Sequence, residues 1–501
     1  MKKTIHRLML IAATVSGSMR ADDAVSQTFL SIRPQFQFGS PEKESIFRND
    51  RMSQKECGIW GALDIVPFGG QSTNANRITK YFFPFNKATL LVAENGSSAA
   101  ANRDVDPQHF NIETLDNTFQ STITMCPQQS VAAVGFDWKQ SLSSREDGCI
   151  KWWLEVVTSV VHVQNKLNFK ENVIDNGGGA LANTLGLDNA QVVGNMTQAF
   201  NQSTWKYGKI GCKPLKKTGL ADIEIALGWN ACHTEMCHYN GYAGVVIPTG
   251  NKPKAHYVFE PIVGNNKHVG IMYGSNMGFK FWECGDHTIT GEIDINGRYL
   301  FRNKQRRSFD LFDKSWSRYM ETYASLAEAQ AAATEQSTRS GTSGINLFTD
   351  CVKVSPRFSA VVNSAFIYKY HGFELEVGYN FYGRQAEKVS LCFDEDSALK
   401  DAAGLGNTTI ARTIGHEFSC AACPDVTIPL AGYTPITTAQ INIDSAATPA
   451  AISNIIYATG AYNWDCWCFP TFVGLGGSYE FSHVNTAIQR WTVWGKLGMS
   501  F

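Results

Sequence analysis

Long stretches of the chain alternate apolar and polar side chains at every second residue. In residues 288–301, isoleucine, glycine and aromatic residues occupy odd positions, whereas threonine, acidic and basic residues occupy most even positions. The same alternation recurs in 220–230, 373–384 and 473–481. Because successive side chains of a β-strand point to opposite faces, each stretch predicts a strand with one apolar and one polar face.

The length of these stretches discriminates between two kinds of β protein. A strand in a soluble sandwich usually has about 5–6 residues, whereas a tilted strand that crosses a bilayer needs about 9–11. The alternating stretches have at least the roughly 9–11 residues that a membrane-crossing strand needs. After the N-terminus, no apolar run of about 18 residues predicts a membrane-spanning helix. Carboxylates are very costly in lipid, so the polar faces are expected to surround a lumen.

The C-terminal residues 491–501 repeat the pattern and end on an aromatic side chain. Leu497, Met499 and Phe501 share the apolar face, and Lys496 lies on the other. This segment resembles the last strand of Gram-negative outer-membrane β-barrels, whose terminal Phe is part of the signal read by the assembly machinery. The resemblance implies a porin-like barrel whose partners are the outer-membrane bilayer and the barrel-assembly machinery, with Leu497, Met499 and Phe501 as the assembly signal. The alternative is an edge strand of a soluble sheet.

The N-terminus has the layout of a secretory signal peptide. Residues 1–7 carry three basic side chains, residues 8–15 are apolar, and residues 16–21 are small and mixed. We therefore expect cleavage near Ala21 and export to the outer membrane. The alternative is a cytosolic N-terminal helix. Removing residues 1–21 leaves 40 basic against 45 acidic residues, a net charge of about −5, which argues against a nucleic-acid partner.

The alternating stretches predict an all-β fold, a single antiparallel transmembrane β-barrel spanning residues 22–501. Such barrels have short periplasmic turns and long external loops. We expect about fourteen strands, within a range of 12–18, with residues 22–56 as an N-terminal extension, 385–452 as a long external loop, 303–350 as another, and small helical pieces in loops. The predicted strands are 57–66, 119–126, 131–139, 150–163, 203–210, 219–230, 240–248, 268–282, 287–302, 351–369, 372–384, 453–463, 472–481 and 488–501.

Two segments do not fit this scheme. Residues 166–202 are long but fall on the inner, periplasmic side, so they are interpreted as a small plug or a missed hairpin, with a helix-like stretch at 181–200. Residues 309–320 look strand-like but are unassigned, and 320–336 look helical.

The polar faces supply the candidate site. Acidic side chains outnumber basic ones there, so we expect a channel for small solutes that leans weakly toward cations. Paired carboxylates such as Glu374 and Glu376 can perform acid–base chemistry, but in a barrel they more often line water, and no catalytic residue, cofactor or metal is assigned. The expected lumen-lining residues are Asp222, Glu224, Glu292, Asp294, Arg298, Glu374, Glu376, Arg384, Glu480, Arg490 and Lys496.

The chain contains 13 cysteines, an odd number. In an oxidising compartment cysteines usually form disulfides, and an odd count leaves at least one for another fate. In composition and architecture this resembles the cysteine-bearing major outer-membrane proteins of chlamydia-like bacteria. The resemblance implies a second function, that of a disulfide-linked structural or surface-interaction protein, with a homo-oligomer or cross-linked neighbours as partners.

Two groups of potential zinc ligands are also present. His416, Cys420 and Cys423 form one group, and a second spans 232–238 with two Cys-His pairs. Zinc takes about four nitrogen or sulfur ligands, but loop disulfides or free thiols explain both groups without metal. A hydrolase on the barrel wall is the remaining alternative, although no G-x-S-x-G elbow stands out.

Overall fold

The protein forms a closed antiparallel β-barrel. The structure, a computed structural model, describes residues 21–46, 60–142, 151–180, 192–234, 236–323, 342–392, 409–410, 434–436, 438–464 and 469–501. In this part of the chain twelve strands make up the barrel. They are β1 (Gly61–Ser72), β2 (Gln128–Ser141), β3 (Lys151–Lys166), β4 (Ile223–His233), β5 (Cys237–Ile247), β6 (Gly270–Cys284), β7 (His287–Leu300), β8 (Arg357–Tyr370), β9 (Phe373–Arg384), β10 (Ala451–Trp464), β11 (Thr471–Phe481) and β12 (Arg490–Ser500).

Each strand pairs with its neighbours in sequence, and the first strand pairs with the last. The register of β1 on β12 runs from Ala62 opposite Ser500 to Ser72 opposite Arg490. Beyond it, the main chains of Gly61 and Phe501 exchange hydrogen bonds of 2.6 and 2.9 Å. The barrel therefore has no free edge, which is how a sheet satisfies its backbone groups in lipid.

The expected count of about fourteen strands is corrected to twelve, because two predicted strands lie outside the barrel. Residues 119–126 contain Gln120–Thr124, which pairs with Thr89–Ala93 and Lys170–Asp175 in a separate small sheet. Residues 203–210 form no strand. Without the strand at 203–210, residues 167–222 become one connection at the same end as the other long connections, and the conflict over 166–202 disappears.

Most connections at one end of the barrel are short, and most at the other end are long. One end, called here the rim, carries the short connections 142–150, 234–236, 285–286, 371–372 and 465–470 together with Gly61 and Phe501. The opposite end, called here the cap, consists of the connections 73–127, 167–222, 248–269, 301–356, 385–450 and 482–489. This segregation of short turns and long loops is typical of outer-membrane barrels.

The cap contains most of the remaining secondary structure. Its α-helices are Ala75–Phe82, Met196–Ala199 and Gly344–Leu347, and Pro41–Glu44 lies in the N-terminal extension. Its 3-10 helices are Pro84–Asn86, Ala100–Asn102, Pro107–Phe110, Ser317–Tyr319, Thr438–Gln440 and Ile443–Ala446. Its further strands are Leu215–Leu220 (paired with the cap end of β3), Asn303–Ser308, Asp310–Leu311, Glu321–Tyr323, Thr342–Ser343, Thr349–Ser355, Lys388–Leu391, Thr409–Ile410, Thr434–Pro435 and Ile441–Asn442.

None of the helices in the described ranges has the length and apolarity needed to traverse a bilayer. Of the helix-like stretch at 181–200, residues 181–191 lie outside the described residues, and Met196–Ala199 is helical in the remainder. Most of the predicted helix at 320–336 also lies outside them. The strand-like stretch at 309–320 supplies Asp310–Leu311 and a 3-10 turn at Ser317–Tyr319, both within the cap.

The two faces of the barrel wall differ as the alternation requires. On the outer face Leu375 and Val493 are 42% and 54% exposed, whereas on β9 the intervening Glu374 and Glu376 are buried. Many large apolar side chains share this outer exposure, among them Val245, Ile271, Phe366, Val377, Ile456 and Leu475. An apolar outer belt around a polar interior is suited to lipid contact.

Candidate functional site: the barrel lumen

The charged residues expected to line a lumen lie on the inner side of the barrel. Ten of the eleven are buried, and Arg490 is partly buried. Several form ion pairs between strands: Glu224 of β4 lies 2.5 Å from Arg298 of β7 across the interior, and Glu480 of β11 lies 2.9 Å from Arg490 of the adjacent β12. Two further contacts are Glu374 with Lys369 at 2.9 Å and Glu292 with His238 at 3.1 Å.

The space inside the wall is occupied by the N-terminal extension. Residues 21–30 lie in the cap, and residues 31–46, called here the lumen segment, descend along the barrel interior. The lumen segment ends at Ile46, which is fully buried against Ala461 and Phe472. The sequence predicts no role for this extension, and a plug is predicted only for residues 166–202. The described part of residues 167–202 lies instead in the cap.

Near the cap, basic side chains hold the start of the lumen segment. The Arg384 guanidinium donates hydrogen bonds to the main-chain carbonyls of Ser31 and Thr486. The Arg33 guanidinium is buried over the ring of Tyr382, 4.9 Å from its centroid. These contacts couple β9, the lumen segment and the β11–β12 connection.

At mid-barrel the lumen segment turns on a glycine. Gly39 has φ +82°, a conformation that side-chain-bearing residues rarely adopt, and its carbonyl accepts a hydrogen bond of 2.8 Å from Asn380. The preceding Phe38 packs on Tyr242 with ring centroids 5.1 Å apart, and its main-chain N–H donates to Glu224 at 2.9 Å. One predicted lumen carboxylate therefore binds the segment directly.

Toward the rim, Lys43 is the central contact. Its ammonium lies 2.6 Å from Glu155 Oε1 and 3.7 Å from Asp137 Oδ2. Lys496 reaches the same stretch from the opposite side of the main chain, donating to the carbonyls of Lys43 and Ser45.

Other predicted residues have separate partners. Glu376 accepts hydrogen bonds from the main-chain N–H of Ile46 and from the Tyr457 hydroxyl. Asp222 accepts one of 2.8 Å from the main chain of Asn265, at the cap end of the barrel. Asp294 Oδ1 is buried and accepts no hydrogen bond from the described residues.

Four buried charged residues of the inner wall were not predicted from the sequence, in addition to the partly buried Lys369. Asp64, Asp137, Lys139 and Glu155 are all buried on the inner side of β1–β3. The alternation rule applied to these three strands could have found them, since Asp137 and Lys139, for example, are two residues apart. The lumen segment had no comparable signal, since its contacts join residues far apart in the sequence, such as Ser31 and Arg384.

The cap covers the mouth of the barrel with an aromatic core drawn from several connections. Phe110, Phe200, Trp205, Trp316 and Tyr319 are buried there, and the Trp205 and Tyr319 rings stack at 5.1 Å. A second apolar cluster combines residues of the β7–β8 and β9–β10 connections. The lumen segment therefore lies inside the barrel, and the described part of the cap lies over its mouth.

Buried polar groups tie the cap together beneath these clusters. Burial disfavours the Glu387 carboxylate, but the Arg307 guanidinium, 3.2 Å away, and the Thr448 N–H outweigh it, so the pKa of Glu387 is lowered. Burial lowers the pKa of His268 to about 4, although the Phe301 carbonyl, 2.8 Å from its Nδ1, favours the protonated ring.

The side chains proposed as an assembly signal lie at the rim. Leu497, Met499 and Phe501 are exposed on the outer face of β12 and its end. For metal binding, the described residues contain no group of three or more His, Cys, Asp or Glu side chains arranged around one ion. His416, Cys420 and Cys423 lie outside the described residues.

Comparisons with known proteins identify similar folds only. No family model and no curated protein matches the chain. A solved outer membrane channel from Pseudomonas putida F1 is 7% identical, with a TM-score of 0.37 over 89% of this chain and 98% of that one. The transport unit of the autotransporter AIDA-I from Escherichia coli is 8% identical, with a TM-score of 0.34 over 91% and 94%. A Pseudomonas aeruginosa FadL homologue is 6% identical, with a TM-score of 0.29 over 96% and 98%.

These TM-scores are too low to support an argument about this protein. The fold is therefore assigned from the geometry of the barrel itself. A closed sheet of twelve long strands has an apolar outer face, a charged interior, short turns at one end and long loops at the other. Those features together satisfy the requirements for a sheet in lipid. The fold is that of an outer-membrane β-barrel, as the sequence predicted.

Proposed function

We propose that this protein is an outer-membrane channel for small solutes that the lumen segment holds closed. The proposal depends on one observation: charged side chains of the barrel wall bind the main chain of the lumen segment. Glu224, Arg384 and Lys496 bind main-chain groups of the segment. At these points the segment is held by polar contacts, and it contributes no strand to the barrel.

Polar contacts of this kind can be exchanged for water at modest cost. A hydrogen bond to a charged group contributes about 1.5–3 kcal/mol net, because water replaces it when it breaks. Withdrawal of the lumen segment would leave an inner wall whose many charged groups water can solvate, although apolar side chains such as Trp153 and Met272 also face the segment. The apolar contribution of the segment itself comes mainly from Phe36, Phe38 and Ile46.

The wall charges support a weak preference for cations. Without the lumen segment, the buried carboxylates of the wall outnumber its basic groups, and charged rings of this kind set the selectivity of pores. The acidic residues are Asp64, Asp137, Glu155, Asp222, Glu224, Glu292, Asp294, Glu374, Glu376 and Glu480, and the basic ones are Lys139, Arg298, Lys369, Arg384, Arg490 and Lys496.

The experiment compares the full chain with a variant that lacks residues 22–46, so that both residues 22–30, which lie in the cap, and the lumen segment are removed. Both proteins are isolated from the outer-membrane fraction, checked for heat-modifiable gel migration, and incorporated into planar bilayers. We expect rare openings from the full chain and a steady, larger conductance from the variant, with reversal potentials in asymmetric KCl that favour K⁺. A folded variant that carries no current would refute the channel, and a reversal potential of the opposite sign would refute the cation preference.

A second candidate function is that of a disulfide-linked surface protein, and the positions of the cysteines favour it. Cys126 and Cys212 are exposed in the cap, and Cys284 is exposed at the rim. These thiols are therefore placed to meet neighbouring molecules on both sides of the barrel. Large oligomers on non-reducing gels that collapse on reduction would support this function, and a monomer under both conditions would exclude it.

A further inference from the structure

Three carboxylates from three adjacent strands face one another inside the barrel. Asp64 of β1 is paired in register with Asp137 of β2, and Glu155 of β3 is paired with Lys139 of β2. The three carboxylate residues, called here the ammonium cage, are 1%, 2% and 2% exposed. Like charges directly opposite each other destabilise a sheet, so this arrangement requires cations close by.

The wall itself supplies fewer cations than carboxylates at this point. Lys139 lies 3.7 Å from Glu155 Oε2, and Lys496 lies 3.4 Å from Asp64 Oδ2. Two ammonium groups therefore face three carboxylates. Asp64 Oδ1 and Asp137 Oδ1 are buried and accept no hydrogen bond from the described residues. Buried acceptors of this kind are costly unless they are satisfied.

The lumen segment supplies a third ammonium group, that of Lys43, to these carboxylates. The Lys43 ammonium lies 2.6 Å from Glu155 Oε1 and 3.7 Å from Asp137 Oδ2, and 4.3 Å from the centroid of the Phe38 ring. Glu44 of the same segment lies 3.2 Å from it. A primary ammonium has three N–H donors and a compact charge, which suits a site formed by carboxylates on several sides.

We propose that the ammonium cage is a binding site for solutes that carry a primary ammonium group, and that Lys43 is a tethered occupant which such a solute replaces. The inference rests on the proposed channel function, because it places a solute in the lumen. The inference adds two points to that function. It names the chemical class of the solute, and it identifies the contact of Lys43 with Glu155 and Asp137 as the one that a solute must replace. Opening then exchanges one ammonium for another at Glu155 and Asp137.

Chemical rescue tests the site without any measurement of transport. The variant Lys43→Ala leaves space and one uncompensated charge at the cage. It is refolded in detergent with n-butylammonium chloride, and the midpoint of its heat-modified gel shift is measured. We expect the amine to raise the midpoint of Lys43→Ala toward that of the natural chain in a concentration-dependent way. We expect no change in the natural chain, whose cage is occupied.

Matched probes and variants separate this result from general effects. Tetramethylammonium has the charge without N–H donors, n-butanol has the chain without the charge, and MgCl₂ offers a metal cation. Equal rescue by any of the three would overturn the assignment to primary ammonium. The double variant Lys43→Ala/Glu155→Gln should lose the response to n-butylammonium, and a response equal to that of Lys43→Ala would also overturn it. If Lys43→Ala does not refold alone, its refolding yield with and without the amine becomes the readout.

A second measurement uses the variant that lacks residues 22–46. Its K⁺ current should be blocked by n-butylammonium, and Glu155→Gln in that background should weaken the block by about tenfold or more, because a charge-assisted hydrogen bond is lost. A conducting variant without block would refute the cage and leave the channel intact. Rescue of Lys43→Ala without conduction in the deletion variant would refute the channel and leave the cage intact.

Discussion

The side-chain ammonium of Lys496, on the last strand of the barrel, donates a hydrogen bond of 2.7 Å to the main-chain carbonyl of Lys43. It also donates to Ser45 and lies near Asp64. Since Lys496 belongs to the wall and Lys43 to the lumen segment, this contact fastens the segment near the rim. Replacing Lys496 should therefore release that part of the segment.

We expect Lys496→Met to increase the frequency of channel openings in planar bilayers. The variant loses two hydrogen bonds from a charged donor and leaves Asp64 with less compensation, which should lower the free energy of unfolding by about 3–5 kcal/mol. Lys217→Met is the matched control, because Lys217 is exposed in the cap. Unchanged gating in Lys496→Met, with a stability equal to that of the control, would contradict this role.

Gly39→Ala should disturb the turn of the lumen segment. A Cβ at this position would lie 3.0 Å from Val361 Cβ and Cγ1, and the backbone φ of +82° is itself unfavourable for alanine. We expect a loss of about 1–2 kcal/mol in stability and more frequent opening. Gly460→Ala is the control, since a Cβ there meets no atom within 4 Å. Equal effects of the two substitutions on gating would exclude a special role for the turn.

The ion pair between Glu224 and Arg298 should be strongly coupled. Glu224→Gln leaves the Arg298 guanidinium buried without its 2.5 Å partner, and breaking a buried pair typically costs about 3–5 kcal/mol. We expect Glu224→Gln/Arg298→Met to cost less than the sum of the single changes. A double-mutant cycle from equilibrium unfolding in lipid measures the difference, and additive costs would show that the two groups act independently.

Protonation of His268 should destabilise the cap at acidic pH. Its Nε2 accepts a hydrogen bond of 2.8 Å from the Gln305 amide when its Nδ1–H donates to Phe301, so the folded cap requires the neutral ring. The pKa is about 4 in the folded state and about 6.5 when exposed. Because the folded state binds fewer protons, this stability is fully present above pH 6.5 and is lost as the pH falls toward 4.

The expected loss is up to about 3 kcal/mol, at about 1.4 kcal/mol per pKa unit. Denaturant unfolding followed by the fluorescence of the buried cap residues Trp205 and Trp316 measures it across this pH range. His268→Gln should flatten the dependence between pH 6.5 and 4. An equally steep dependence in that variant would place the acid sensitivity elsewhere.

The orientation of the barrel can be tested with its cysteines. In single-cysteine variants, a maleimide too large to cross the outer membrane should label Cys126 and Cys212 in intact cells, because both are exposed in the cap. Cys284, exposed at the rim, should be labelled only after the outer membrane is permeabilised. The reverse order of labelling would invert the topology.

The sequence predicted the barrel because its strands have a local signature. For β7, β9 and β11 the two-residue period and the length identify the element and its inner face, as Glu292, Glu376 and Glu480 illustrate. The same signature misleads at 119–126, where Ile123 alternates with Thr122 and Thr124 but belongs to a small sheet in the cap. Alternation predicts that a segment is a strand, but it does not predict which sheet the strand joins.

The lumen segment could not be predicted for a different reason. Arg33 and Lys43 look like surface residues in the sequence, and their burial depends on Tyr382 and Glu155, far away along the chain. In the sequence, the excess of inner carboxylates predicts a cation preference of the pore and does not point to a positively charged partner within the chain. The identity of that partner is a property of the folded lumen.

The route of the chain also constrains how the barrel is made. Residues 31–46 pass through the interior before the chain reaches β1, and β1 completes the cylinder by pairing with β12. Of the barrel strands, β1 is synthesised first and β12 last, and the pairing of these two closes the barrel. The lumen segment must already lie inside when β1 and β12 pair, so the sheet has to close around a segment that was synthesised before it.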